Sequence, residues 1–152
     1  MATSPHFMKP TPLERAMNKT IGMLARLGLG PGYLRLLEVQ GKTTGRTYST
    51  PVNLFHFKGQ DYLVGGRGHT GWSRNALAGG GVTLRRGRSL RRYNVRPIAD
   101  NDKPEILKGY LDEYASTVQK FFTVQAGSPP EAFRTIADRH PVFELIRINE
   151  NR

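Results

Sequence analysis

The chain contains no cysteine, which excludes disulfides, thiolate metal sites and cysteine nucleophiles. It has no apolar run near the ~18 residues that a membrane-spanning helix needs. Its first ten residues, MATSPHFMKP, lack the apolar centre of a secretory signal. The expected placement is therefore cytoplasmic, with association to a membrane surface as the further reading. No G-x-S-x-G elbow is present, and the four histidines (His6, His56, His69, His140) show no metal-helix spacing, so no metal is expected. The most informative absence is acidic: residues 62–99 hold no Asp or Glu, against eight arginines.

The excess of positive charge is consequently local. The whole chain carries 23 Lys+Arg against 12 Asp+Glu, a formal net charge of +11. Residues 1–99 hold 16 basic and 3 acidic side chains, a net +13, and the remainder is slightly acidic. Such a balance calls for an anionic partner. Arg67, Arg74, Arg85, Arg86, Arg88, Arg91, Arg92 and Arg96 are all guanidinium groups, suited to bidentate contact with phosphate or carboxylate. Aromatic side chains are sparse among them, with Trp72 and Tyr93 alone between Arg67 and Arg96, so a nucleic-acid surface with stacking platforms is not expected. At 152 residues, with 38% hydrophobic content, 7 Phe and 6 Tyr, the chain can bury one core. The reading is a flexible tail over 1–10 and a single domain over 11–152.

Thr11-Pro12-Leu13-Glu14 reads as a capping box, with Pro12 at the first helical position. The helix it opens sets Leu13, Met17, Ile21 and Leu24 on one face and stops at Gly28, Gly30 and Pro31. It reads either as a packing helix or as a basic amphipathic helix lying on a membrane. Short β-like runs follow: Tyr33 to Val39, Thr47 to Phe57, Asp61 to Gly65, Val82 to Arg86 and Ser89 to Ile98. Lys58-Gly59-Gln60 and Arg86-Gly87-Arg88 suit hairpins. A short helix, about Trp72 to Ala78, interrupts the series. After Asp100 the pattern is helical to about Phe122, then a short helix near Glu131 to Asp138 and a last strand, Val142 to Ile148. Strands in succession with helices at the ends predict an α+β fold built on an antiparallel barrel, not a doubly wound sheet.

Two motifs invite over-reading. Gly66-Arg67-Gly68-His69-Thr70-Gly71 matches G-x-G-x-x-G between a strand and a helix. A dinucleotide site also needs an acid about 20 residues on and a parallel βαβ unit, and here no acid occurs before Asp100. The loop is better read as backbone N–H groups offered to an anion, with His69 the histidine placed to join them. Gly41-Lys42-Thr43 resembles the end of a P-loop, but Leu36 stands where the first glycine belongs.

Taken in order, Gly41-Lys42-Thr43-Thr44-Gly45-Arg46-Thr47-Tyr48-Ser49-Thr50-Pro51-Val52 and Val64-Gly65-Gly66-Arg67-Gly68-His69-Thr70-Gly71-Trp72-Ser73-Arg74-Asn75-Ala76-Leu77 resemble the deazaflavin (coenzyme F420)-dependent nitroreductase family. The resemblance covers about residues 33 to 148. It implies a mainly antiparallel split β-barrel, FMN-binding split-barrel-like, with an N-terminal helix and flanking helices. It also implies an oxidoreductase that transfers hydride from reduced coenzyme F420 to a quinone, nitroaromatic or enone. An FMN-binding or cofactor-carrying split-barrel protein is the alternative, and a basic nucleic-acid or membrane-surface binding protein the reading ranked below it.

Carried over by position, Lys42 and Arg46 would meet the anionic tail or phosphate, while Thr50, Pro51 and Val52 would line the ring, with Tyr48 of the same strand as a further cofactor-binding candidate. Arg67 and Gly68 would hold the phosphate, with His69 of the glycine loop as a further binding candidate, and Trp72 and Asn75 would form the pocket wall. Many relatives carry a base where this chain has Thr43 and Tyr48, which lowers the expected grip on an acidic tail or passes it to Arg74. The cofactor supplies the hydride chemistry, so the protein need add only a proton, for which Tyr48, Tyr110 and Tyr114 are candidates. The partners implied are an anionic cofactor and a small hydrophobic electron acceptor. Peripheral membrane contact would run through the N-terminal helix, and the chain would be a monomer or a homodimer.

Overall fold

The computed structural model describes residues 11–41, 43–79 and 81–148. The expected tail over 1–10 therefore lies outside the described residues. Helix α1 (Pro12–Arg26) starts where Thr11 Oγ1 accepts from the Glu14 N–H at 3.1 Å. It ends in a Schellman motif: Leu29 N–H bonds Leu24 O and Gly28 N–H bonds Ala25 O, with Gly28 at φ 77°, a conformation that glycine adopts without a Cβ clash.

Seven strands follow in one antiparallel sheet. They are β1 (Leu34–Gln40), β2 (Thr47–Asn53), β3 (Phe55–Phe57), β4 (Gln60–Val64), β5 (Gly81–Arg86), β6 (Ser89–Pro97) and β7 (Val142–Arg147), in the order β2-β1-β5-β6-β7-β4-β3. The two edge strands, β2 and β3, are consecutive in the chain and separated by Leu54 alone. The sheet therefore curls until its edges approach. The sequence reads Thr47 to Phe57 as one strand, and the structure corrects this at Leu54. Its N–H turns to Tyr33 O at 2.8 Å and its carbonyl accepts from Tyr114 Oη at 3.2 Å, so both backbone groups leave the ladder. The Lys58-Gly59 hairpin forms as expected, with φ 49° and 80°, the left-handed pair that the right-handed strand twist favours.

Helix α2 (Gly71–Gly79) puts Trp72 and Ala76 against the inner sheet face with Leu37, Val39, Leu63, Val82, Leu84, Tyr93 and Leu145. Helix α3 (Pro104–Val118) and the 3-10 segment Pro130–Arg139 build a second core with Phe55, Phe122, Phe133 and Val142. Where the sequence pattern carries α3 to Phe122, the structure ends it at Val118 and adds a 3-10 turn, Gln119–Phe121. The helix is kinked at Tyr114 (φ −112°, ψ 22°), where Thr117 Oγ1 donates to the Tyr114 carbonyl at 3.1 Å and so competes with the helical ladder. The short helix expected near Glu131 is also 3-10. Strand β1 alternates between two buried faces. Leu37 and Val39 enter the barrel, while Leu34 and Leu36 lie beneath α1 with Ala25.

Arg85 and Arg86, two of the eight arginines within residues 62–99, are structural. Arg85 Nε donates to Glu38 Oε1 across β5 and β1 at 2.7 Å. Arg86 donates to four carbonyls, Pro31 at 2.7 Å, Gly30 at 3.0 Å, Leu34 at 3.1 Å and Gly28 at 3.4 Å. This fastens the loop after α1 to the sheet.

Candidate functional site

A cavity of about 980 Å³ opens between α1, β2, the loop Gly65–Thr70, the first turn of α2 and the end of α3. One wall is the sheet edge. Ser49, Thr50, Pro51, Val52 and Asn53 of β2 line it, and an edge strand presents backbone N–H and C=O groups that no neighbouring strand takes up. Pro51, which lacks an N–H, is tolerated because β2 is an edge. Gly41 brings the β1–β2 turn into the wall: a Cβ there would lie 2.7 Å from the Tyr48 ring, so glycine lets Tyr48 pack down at the rim.

The opposite wall is the glycine loop. A Cβ on Gly65 would fall 2.6 Å from Pro141 and 2.8 Å from Gly68 O, so this loop folds tightly only with glycine there. Four of its amides are already used: Gly65 N–H on Pro141 O, Gly66 N–H on Val64 O, Gly68 N–H on Gly65 O and Thr70 N–H on Gly68 O. The expectation of a bare N–H cradle is corrected to that extent. What the loop does offer the cavity is the Arg67 guanidinium, the start of α2 and Thr70. Thr70 Oγ1 is buried and has no hydrogen-bond partner among the described residues, an arrangement that costs free energy unless something fills it.

Charge concentrates here. Arg67 Nη2 donates to Glu14 Oε2 of α1, and its guanidinium stacks on Phe121 at 4.5 Å from the ring centre. Hydrogen bonding to Arg67, with the Lys120 charge nearby, holds the Glu14 carboxyl below the usual carboxylate range. The rest of the lining includes an apolar and aromatic set: Met17, Ile21 and Leu24 of α1, with Tyr33, Val64 and Tyr110. Asn53 Nδ2 donates to the Tyr110 hydroxyl at 3.4 Å, and burial pushes that phenol up to about 12.

Of the residues singled out in the sequence, the structure brings Tyr48, Thr50, Pro51, Val52, Arg67, Trp72, Asn75 and Tyr110 around one cavity. Trp72 serves two surfaces, since its ring also lies 5.9 Å from Phe143 in the barrel. Arg46 and Arg74 are exposed and do not line the cavity, and Lys42 lies outside the described residues. Gly68 is buried, its N–H spent on closing the loop. His69 turns away and donates from Nε2 to Asp138 O at 2.9 Å. Tyr114 is a core residue whose hydroxyl is taken by Leu54 O, which leaves it without the access that a proton donor needs.

Three further residues, Glu14, Thr70 and Lys120, line the cavity although the sequence pattern assigns none of them to a site. Glu14 does carry a signal, being the lone acid among the first 37 residues. The orphaned Thr70 hydroxyl depends on three-dimensional packing and carries none. Among the described residues no group of His, Asp or Glu could hold a metal ion, and no helix is long and apolar enough to cross a membrane.

A family model described as F420H(2)-dependent quinone reductase matches residues 11–125. No curated protein matches significantly. Among solved structures, an F420-H2 dependent reductase, FDR-A, is similar with 17% identity and a TM-score of 0.50, over 75% of this chain and 94% of its own. A protein described as a domain-swapped dimer is similar at 18% identity and TM-score 0.53, over 89% and 99%. The heme storage protein HutZ from Vibrio cholerae matches at 8% identity and TM-score 0.53, over 92% and 93%. These likenesses show the fold, the split β-barrel.

Proposed function

From the premise that the chain belongs to the F420H2-dependent quinone reductase family, and is thus an oxidoreductase using coenzyme F420, we propose that the cavity described above is where it acts and that its acceptor is a quinone-type molecule. The observation that carries this reading is the mixed lining of the cavity: a sheet edge and apolar and aromatic side chains, together with Arg67, Lys120 and a Thr70 hydroxyl that lacks a partner among the described residues. A flat heterocycle bearing an anionic tail fits such a space, within the range of roughly 300–1,000 Å³ usual for ligand sites.

The residues divide the work accordingly. Thr50, Pro51 and Val52 would hold the ring against the β2 edge, with Trp72 and Asn75 as the adjoining wall. Arg67, the Thr70 hydroxyl and the start of α2 would take the anionic part, because a guanidinium and a helix N-terminus both favour negative charge. When bound, the cofactor supplies hydride. The protein must in addition exclude water and deliver a proton. Tyr110 suits proton delivery because Asn53 occupies one lone pair of its hydroxyl, leaving the O–H to donate. Purified protein given reduced F420 and a short-chain quinone should oxidise the cofactor. Absence of oxidation with quinone, nitroaromatic and enone acceptors alike would refute the reading.

The finer reading places an apolar acceptor's approach along α1. Leu13, Met17 and Met23 are exposed on that helix and Leu27 at its C-cap, and Arg15, Lys19 and Arg26 flank them, the composition of a surface-lying helix. Flotation with anionic vesicles should carry the protein upward and lose it after Met17→Glu; equal flotation of both proteins would end this part of the proposal. For assembly we favour a homodimer, in keeping with the domain-swapped relative. Light scattering should give twice the 17.0 kDa chain mass, and a monomer mass contradicts it.

A further inference from the structure

The guanidinium that the proposed function assigns to an anionic ligand already holds an anion of the chain's own. Arg67 pairs with Glu14 from the first turn of α1, and both side chains are largely withdrawn from solvent, at 18% and 28% exposure. The pair spans the cavity from helix to glycine loop, and Phe121 covers it through the Arg67 stack. A ligand phosphate or carboxylate reaching Arg67 must either share that guanidinium or displace Glu14. Sharing sets two anions side by side against one cation, which costs free energy in a part-buried setting.

The attachment of α1 is lopsided. Its C-terminal half is fastened by buried Gly22 and Ala25, by the packing of Ala25 with Leu34 and Leu36, by the Gly87 N–H on Ala25 O, and by the Arg86 clamp just beyond. Its N-terminal half contains no buried residue and is tied across the cavity by Glu14. Loss of that tie would free the first turns while the last two stay docked.

We propose that Glu14 is a built-in competitor for the Arg67 anion site, so that an anionic ligand at the glycine loop displaces it and releases the first turns of α1. Met17, Ile21 and Leu24 of that helix all line the cavity, and of these Met17 lies in the released turns. An anion at Arg67 therefore frees Met17 from the apolar wall while Ile21 and Leu24 stay docked, and cofactor occupancy is coupled to entry of the second reactant. The inference rests on the proposed function for the identity of the ligand, but the competition itself concerns any phosphate-bearing anion.

The test compares wild type and Glu14→Gln by hydrogen exchange of α1 amides and by fluorescence titration with F420. Saturating F420 or inorganic pyrophosphate should raise exchange over residues 14–18 of the wild type and leave 22–26 unchanged. In Glu14→Gln, exchange over 14–18 should be high without ligand. F420 should also bind this variant about tenfold more tightly, as when the released state holds roughly a tenth of the wild-type population. Increased protection of 14–18 on ligand binding overturns the proposal, and so does equal or weaker affinity in Glu14→Gln. If F420 fails to bind while pyrophosphate still loosens the first turns, the functional reading falls and this inference stands. If neither ligand changes exchange, this inference falls.

Discussion

At the scale of single residues, the cavity separates groups that the sequence alone cannot rank. Three tyrosines are equal candidates there for proton delivery. The structure distinguishes them by what their hydroxyls already do: Tyr114 donates to Leu54 O, Tyr48 sits half-exposed at the rim, and Tyr110 accepts from Asn53 within the wall. Tyr110→Phe should lower kcat with a quinone by about 10²-fold, the usual contribution of a positioned proton donor, while the F420 affinity stays unchanged. An unaltered kcat would remove Tyr110 from the mechanism. Because burial raises this phenol to about 12, it stays protonated through neutral pH, and the rate of wild type relative to Tyr110→Phe should not vary between about pH 6 and 9.

Elements show how much of the structure is legible in the chain. Strand positions and hairpin turns are legible because alternation and glycine placement are local properties. Lys58-Gly59 needs only its own residues to specify a hairpin. The break at Leu54 is not legible, since its cause is a carbonyl on Tyr33 and a hydroxyl on Tyr114, 60 residues further on. The kink in α3 is written in part by Thr117, but the Arg86 clamp depends on distant partners. Order and spacing of the two glycine-rich segments point to most of the cavity wall, whereas Glu14 looks like an ordinary cap. The clamp gives a prediction at this scale. Arg86→Ala removes charged hydrogen bonds to four carbonyls and should cost about 3 kcal/mol in urea unfolding. A loss under about 0.5 kcal/mol, the level of an ordinary surface change, would show that the loop after α1 holds itself in place.

Over the whole molecule, charge and burial act together. The excess arginines are not one patch: Arg85, Arg86 and Arg96 are engaged with Glu38, loop carbonyls and Glu144, Arg67 faces the cavity, and Arg88, Arg91 and Arg92 remain exposed. Burial raises Tyr62, Tyr93, Tyr110 and Tyr114 above the ordinary phenol value. The folded state thus holds these protons more tightly than the unfolded chain. The resulting stability is complete below about pH 10 and is lost as pH rises toward the folded values. Tyr110 alone, shifted from 10.0 to about 12, accounts for about 2–3 kcal/mol of that loss. Denaturant unfolding should therefore weaken between about pH 10 and 12, and constant stability across that interval would contradict the burial of these phenols.

The central claim is that this cavity holds coenzyme F420 with Arg67 at its anionic part. A fluorescence titration of oxidised F420 into wild type and Arg67→Ala, with FMN as competitor, tests it most directly. The account predicts saturable one-to-one binding, resistance to displacement by equimolar FMN, and at least about tenfold weaker affinity after loss of the charged contact. No saturable binding, displacement by FMN, or equal affinity of the two proteins would contradict it.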